Sequence, residues 1–166
     1  MTKLKKITIR IFLVWFTLVP IAALAHFLVF PQESRCILID FSDFEKDERI
    51  YYNSNTPQHK IDSLKAILKL ASFRADSFWG EKTCNPKFIY CENEEDCEKY
   101  MGSLSVPANM KAKLGSYIVI SRQGIDLDIL AHELSHAELY ERIGFYNWNF
   151  NLPLWFNPDF AVELSF

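Results

Sequence analysis

Residues 11–30 contain no formally charged side chain, and this run constrains the fold more than any other feature of the chain. A helix rises about 1.5 Å per residue, so the run is long enough to cross a bilayer core of about 30 Å. The sequence therefore predicts a transmembrane helix over residues 11–30, with the lipid bilayer as its partner. We expect two parts: an N-terminal anchor or signal segment, residues 1–30, and a body, residues 31–166.

The basic residues before this run predict how the chain is oriented. They are Lys3, Lys5, Lys6 and Arg10. Lys and Arg favour the cytoplasmic side, so we expect a single-pass protein with a cytoplasmic N-terminus and an extracytoplasmic body. Ala23 and Ala25 also fit the small-residue site of a cleavable signal peptide, which would leave a secreted or periplasmic body.

Acidic residues outnumber basic ones in the body. The whole chain has 18 Lys and Arg residues against 21 Asp and Glu residues, and residues 1–30 hold four of the basic residues and no acid. A nucleic-acid binder needs clustered Lys and Arg to neutralise phosphates. The charge pattern therefore argues against a nucleic-acid partner.

Four cysteines follow the apolar run: Cys36, Cys84, Cys91 and Cys97. In an oxidising compartment this even number predicts two disulfides, and three pairings are open. The spacing of the last three favours one local bridge. Free buried thiols are the alternative, and a zinc site of cysteines is less favoured because no C-x-x-C pair occurs.

The body alternates short strands with helices. Thr56 and Pro57 form a helix start, and apolar residues at helical spacing then continue to Gly80. Residues 42–57 are polar and rich in turn-forming residues. Strands are predicted over residues 36–41, 87–91 and 116–121, and further helices over 94–101, over 126–143 and from about Asn157. This mixture predicts an α+β fold.

The helix predicted over 126–143 carries the residues of chemical interest. His132 and His136 lie four apart, so on a helix they share one face and can bind one Zn²⁺. Glu133 lies beside the first histidine, where its carboxylate can accept a proton from a water molecule and pass it to a leaving amine. This H-E-x-x-H arrangement is that of zinc metalloproteases. The alternative is two histidines held by local hydrogen bonds.

Three segments together resemble the gluzincin group of zincin metallopeptidases. They are residues 116–121, residues 128–139 (DILAHELSHAEL) and residues 152–162 (LPLWFNPDFAV). The resemblance implies a small zincin-like domain with a few-stranded sheet and an active-site helix. It also implies Zn²⁺ as cofactor, His132 and His136 as metal ligands, Glu133 as the catalytic residue and a peptide or protein as substrate.

The last of these segments departs from the family pattern W-F-x-E-G-x-A. Trp155, Phe156 and Ala161 match it, but Pro158 replaces the glutamate that supplies the third zinc ligand. Asp159, one position further, is our expected third metal ligand, and Glu163 is the other candidate. Asn157, Pro158 and Asp159 also suit an ordinary helix start.

Three hypotheses remain open after the sequence alone. The first is a membrane-anchored zinc metallopeptidase. The second is a catalytically inactive relative that binds peptides or partner proteins in the same cleft, supported by Pro158 and by a C-terminal helix that is shorter than in the family. The third is a tethered structural domain with incidental histidines.

Overall fold

The computed structural model describes residues 3–102, 106–111 and 115–152. Asp159, Glu163 and the helix predicted from about Asn157 lie outside the described residues. In chain order the helices are α1 (Lys3–Val29), α2 (Pro31–Ile37), α3 (Gln58–Trp79), α4 (Glu94–Tyr100) and α5 (Leu127–Tyr146). The strands are β1 (Glu45–Asp47), β2 (Ile50–Tyr52), β3 (Lys87–Cys91), β4 (Ala108–Lys111) and β5 (Tyr117–Ser121).

Helix α1 contains the predicted apolar run. By length and composition, Phe12–Val29 can cross a membrane, and none of this stretch is buried against the rest of the protein. A signal sequence near the N-terminus forms the same kind of helix. The apolar N-terminal helix is therefore confirmed as a candidate span or signal sequence.

The junction between α1 and α2 is closed by hydrogen bonds. The Phe30 N–H donates to the His26 carbonyl at 2.8 Å, and the Ser34 N–H donates to the Phe30 carbonyl at 3.0 Å. The His26 Nδ1 and Ser34 Oγ atoms are also 2.8 Å apart. Arg35 then donates to the Lys99 carbonyl in α4. The apolar helix is thus tied directly to the body.

The strand predicted over residues 36–41 is wrong, because this segment ends α2 and continues into a 3-10 turn, Ile39–Phe41. Cys36 and Ile39 are buried, whereas Leu38 and Phe41 are exposed. Burial at a spacing of three follows a helix, since a strand would bury alternate residues. The apolar composition of the segment does not distinguish these two patterns.

One mixed sheet of five strands lies within the described residues, in the order β1-β2-β3-β5-β4. The three central strands are parallel, and the outer strands β1 and β4 pair antiparallel with their neighbours. Together with the helices, this sheet confirms the predicted α+β class. Strands β1, β2 and β4 were not predicted from the sequence.

The sheet has a buried apolar layer on each face. On the first face, α3 and α5 pack against side chains that include Ile118, Ile120 and Tyr90. On the second face, α2 and α4 cover side chains that include Ile89 and Val119. Alternating residues of β3 and β5 thus point into different layers, as the pleat of a strand requires.

The other predicted elements agree with the structure. Helix α3 begins after Pro57 and stops at Gly80, whose φ of 79° lies in the left-handed region that suits glycine. Strands β3 and β5 and helices α4 and α5 lie where the sequence predicts them.

Candidate metal centre

Helix α5 carries the H-E-x-x-H residues. Its start is capped by Asp126, whose carboxylate accepts hydrogen bonds from the Asp128 and Ile129 N–H groups at 2.9 and 3.1 Å. Leu130 and Leu134 are buried on the side that faces the sheet and α3. Packing of this apolar side fixes the rotation of the helix, and therefore where the histidines lie.

The two histidines meet on one face of α5, as their spacing predicts. Their Nε2 atoms are 2.9 Å apart, and their ring planes are nearly perpendicular, at 88°. His136 is buried and His132 is exposed. Two imidazoles at this distance either share a proton in an N–H···N hydrogen bond or direct two lone pairs at one cation.

The separation of the ring nitrogens is compatible with zinc. Two nitrogens bound at about 2.0–2.1 Å lie about 3.4 Å apart at the tetrahedral angle. The pair must therefore open by about 0.5 Å, which small χ rotations of two long side chains can supply. His132 and His136 accordingly fit two of the ligands that a zinc ion requires.

Both histidines favour the neutral form, which is the form that binds metal. Burial, and then the nearby charge of His132, lower the pKa of His136 to about 4. Desolvation also lowers the pKa of His132. At neutral pH both rings are therefore uncharged, and their approach costs no charge repulsion.

Of the remaining predicted site residues, the structure describes only Glu133. Glu133 follows His132 in α5 and is partly buried. The residues that the structure describes contain no group of three or more His, Cys, Asp or Glu side chains arranged to hold a metal ion. Asp159 and Glu163, the candidates for a third ligand, lie outside the described residues.

Trp148 is an aromatic neighbour of the histidines that sequence reasoning did not single out. Gly144 has φ 77° and ψ 165°, so the chain leaves the regular path of α5 at this residue. The following turn, Asn147–Asn151, places the Trp148 ring 6.2 Å from the His136 ring and 5.6 Å from the Tyr140 ring, edge-on to both. The glycine in an aromatic-rich segment was the signal available in the sequence.

Glu138 lies two residues after the motif and is only 1% exposed. Its carboxylate accepts hydrogen bonds from the Thr83 N–H, the Cys84 N–H and, at 2.6 Å, the Thr83 hydroxyl. Arg142 lies 3.5 Å away. Burial raises the pKa of Glu138, but these hydrogen bonds outweigh it and lower the pKa to about 2. Glu138 therefore fastens residues 83–84 to α5.

The cysteines are four buried free thiols in the structure. Cys84 belongs to the layer under α3 and α5, whereas the other three belong to the layer under α2 and α4. Because the sheet separates these layers, Cys84 has no cysteine partner within its own layer. The structure contains no disulfide between these cysteines, and the two predicted disulfides stay a prediction.

Comparisons with known proteins add no information about the fold or the site. No protein family, no curated protein and no solved structure matches this chain.

Proposed function

We propose that the chain is a membrane-anchored, extracytoplasmic zinc metallopeptidase-like protein that hydrolyses peptide bonds. The observation that carries the proposal is the approach of the two Nε2 atoms to 2.9 Å, with a glutamate next to the first histidine. The same distance also fits an N–H···N hydrogen bond between the two rings, so the zinc content of the protein decides between the two arrangements.

The roles follow from the chemistry of each side chain. His132 and His136 hold the zinc ion, and Asp159 is the proposed third ligand, with Glu163 as the other candidate. When bound, zinc supplies a Lewis acid that polarises a carbonyl and lowers the pKa of water. Glu133 accepts a proton from the attacking water and delivers it to the leaving amine.

The edge of the sheet offers a place for the peptide. Strand β4 is the last strand beside β5 in the described sheet, and it contacts α5. An edge strand leaves backbone N–H and C=O groups available, and an extended peptide can pair with them. A substrate bound in this way lies alongside the helix that carries His132 and His136.

The orientation of the chain in the membrane is part of the same proposal. The basic residues before the apolar run favour a cytoplasmic N-terminus, so α1 anchors the body on the opposite side of the bilayer. The hydrogen-bonded junction between α1 and α2 then holds the body close to the membrane surface. Cleavage after Ala25 would release the same body in the same compartment.

One observation favours a second candidate, a catalytically inactive relative that binds peptides or partner proteins. Pro158 stands where the related peptidases carry a glutamate ligand. A catalytic zinc ordinarily has three protein ligands, and proline offers no side-chain donor.

Turnover by the full chain in detergent micelles tests the first candidate. With an unfolded protein as substrate, Glu133→Gln should lower hydrolysis by about 100- to 10,000-fold, the usual contribution of a general base, without lowering the zinc content. Glu141→Gln changes an exposed glutamate of the same helix and should leave hydrolysis unchanged.

The possible results separate the candidates. Equal hydrolysis by the wild type and Glu133→Gln would refute Glu133 as the base. Bound zinc without any hydrolysis by the wild type would favour the inactive relative. Absence of bound zinc would remove the first candidate and leave the inactive relative, in which zinc is weakly bound or absent, or a structural domain.

A further inference from the structure

Three thiols lie in the layer between the sheet, α2 and α4. Cys36 and Cys91 have no exposed surface, and Cys97 is 6% exposed. The three come from α2, β3 and α4, so this one layer brings Cys36 together with two cysteines that lie much later in the chain. None of them takes part in the proposed reaction.

Within this group, Cys91 and Cys97 are hydrogen-bonded to each other. The Cys97 Sγ atom lies 3.6 Å from the Cys91 carbonyl oxygen, whereas the Cys36 Sγ atom is directed at the Tyr100 carbonyl, 3.9 Å away. The hydrogen bond with the Cys97 thiol, and then burial, raise the pKa of the Cys91 thiol. Only five residues separate the pair in sequence, so little chain must be ordered to bring the two sulfurs together.

We propose that Cys91 and Cys97 form an intramolecular disulfide when the chain meets an oxidant of the disulfide class. Both thiols lose their protons, one Sγ–Sγ bond forms, and the disulfide bond of the oxidant breaks to give two thiols. Exchange therefore balances without any group from the metal centre. The inference goes beyond the proposed function, and in the cell it depends only on export to an oxidising compartment.

Burial determines when this reaction takes place. A thiol is reactive as the thiolate. Burial keeps both sulfurs away from the oxidant, and the pKa of Cys91 is raised, whereas the hydrogen bond with Cys91 lowers the pKa of Cys97. Oxidation should therefore accompany folding or a local opening of α4. Once formed, the bond is shielded from reductants and joins β3 to the helix that accepts the hydrogen bond from Arg35. The disulfide would thus fix α4, against which α2 packs, to strand β3.

The experiment uses the reduced full chain in detergent micelles with glutathione disulfide as the oxidant. Urea is kept below the unfolding midpoint, so that local opening admits the oxidant while the fold persists. After quenching, the protein is denatured, alkylated and digested with trypsin. One tryptic peptide, residues 88–99, contains both Cys91 and Cys97, while Cys36 and Cys84 fall in peptides 36–46 and 83–87.

The expected result is that peptide 88–99 escapes alkylation and is lighter by the two lost hydrogens, while peptides 36–46 and 83–87 are alkylated. Cys97→Ser should abolish this internal bond, and Cys84→Ala, a change of a buried thiol on the opposite face, should leave it intact. Double alkylation of peptide 88–99 in the wild type, or its linkage to peptide 36–46, would overturn the proposal. Because catalysis and zinc are not involved, failure of the proposed function leaves this result unaffected.

Discussion

The two faces of the sheet carry different kinds of residue. The face under α3 and α5 combines an apolar layer with His132, His136 and the buried carboxylate of Glu138. The face under α2 and α4 buries tyrosines, aliphatic side chains and three thiols. The first face thus carries imidazole and carboxylate groups, and the elements of the second face join the body to the apolar helix. The imidazoles and the attachment to α1 therefore lie on opposite sides of one sheet.

This separation shows how a small body can support a polar site. Polar groups buried without partners cost about 1–3 kcal/mol each, so a site is most stable at the margin of an apolar layer. His132 and His136 lie at such a margin, and Glu138 is completely hydrogen-bonded inside it. The elements of the second face also bury two polar side chains, Ser34 of α2 and Asp96 of α4, and both are hydrogen-bonded.

The largest expected effect comes from a matched pair of core substitutions. Ile118 lies in the first layer and Ile89 in the second, and both have no exposed surface. Each change to alanine removes the same buried atoms and should lower the free energy of unfolding by about 2–5 kcal/mol. Urea denaturation of the full chain in detergent micelles measures both values.

The conclusion that both faces of the sheet are covered would be contradicted if only one substitution lowered the free energy of unfolding. A loss below about 0.5 kcal/mol is typical of surface positions. Such a value for Ile89→Ala would mean that α2 and α4 do not cover the sheet, and for Ile118→Ala that α3 and α5 do not.

An intermediate effect is expected from Glu138→Gln. The substitution keeps the shape of the side chain but turns an NH₂ group towards donors of Thr83 and Cys84. We expect a loss of about 1–3 kcal/mol in the free energy of unfolding. Glu141→Gln is the exposed control, and an equal loss for both variants would contradict the role assigned to Glu138.

The pH dependence of that difference follows from the pKa of Glu138. Hydrogen bonds overcome the opposing effect of burial and lower its pKa from 4.5 to about 2 in the folded protein. A lowered folded-state pKa means that the carboxylate stabilises the fold above about pH 4.5 and loses this contribution as the pH falls towards 2. The stability difference between the wild type and Glu138→Gln should therefore shrink over this range. A difference that grows on acidification would reverse the assignment.

The smallest effect is expected at the solvent side of the first face. Arg74 of α3 pairs with Asp128 of α5, and both side chains are more than half exposed. Exposed ion pairs contribute little, so Arg74→Ala should change the free energy of unfolding by less than about 1 kcal/mol. A larger loss in urea denaturation would mean that the pair, in addition to the apolar layer, holds α3 against α5.

Elements with strong local signals were predictable from the sequence. Helix α3 has a proline at its start, a glycine at its end and a periodic apolar face, and β3 and β5 are apolar runs. Strands β1 and β4 are short, lie at the edges and include exposed or half-buried residues, so their pattern does not distinguish them from turns. The apolar composition of residues 36–41 fits a helix and a strand equally well. Only the packing of this segment against α4 decides between these structures.

The same distinction applies to the site. The approach of His132 to His136 follows from four-residue spacing on one helix, which is a local property. The positions of Trp148 and Glu138 depend on the turn at Gly144 and on the loop before β3, which are tertiary features. Local spacing therefore predicts the pair of ring nitrogens but not the residues that surround them.

The zinc content of the purified full chain tests the central claim most directly. After exposure to zinc and removal of excess metal, the wild type should retain about one ion per chain, as a single mononuclear site requires. His132→Ala and His136→Ala should each lose it, while His59→Ala, a change of an exposed histidine in α3, should retain it. Equal zinc content in all four proteins would contradict the claim that these two ring nitrogens form a metal centre.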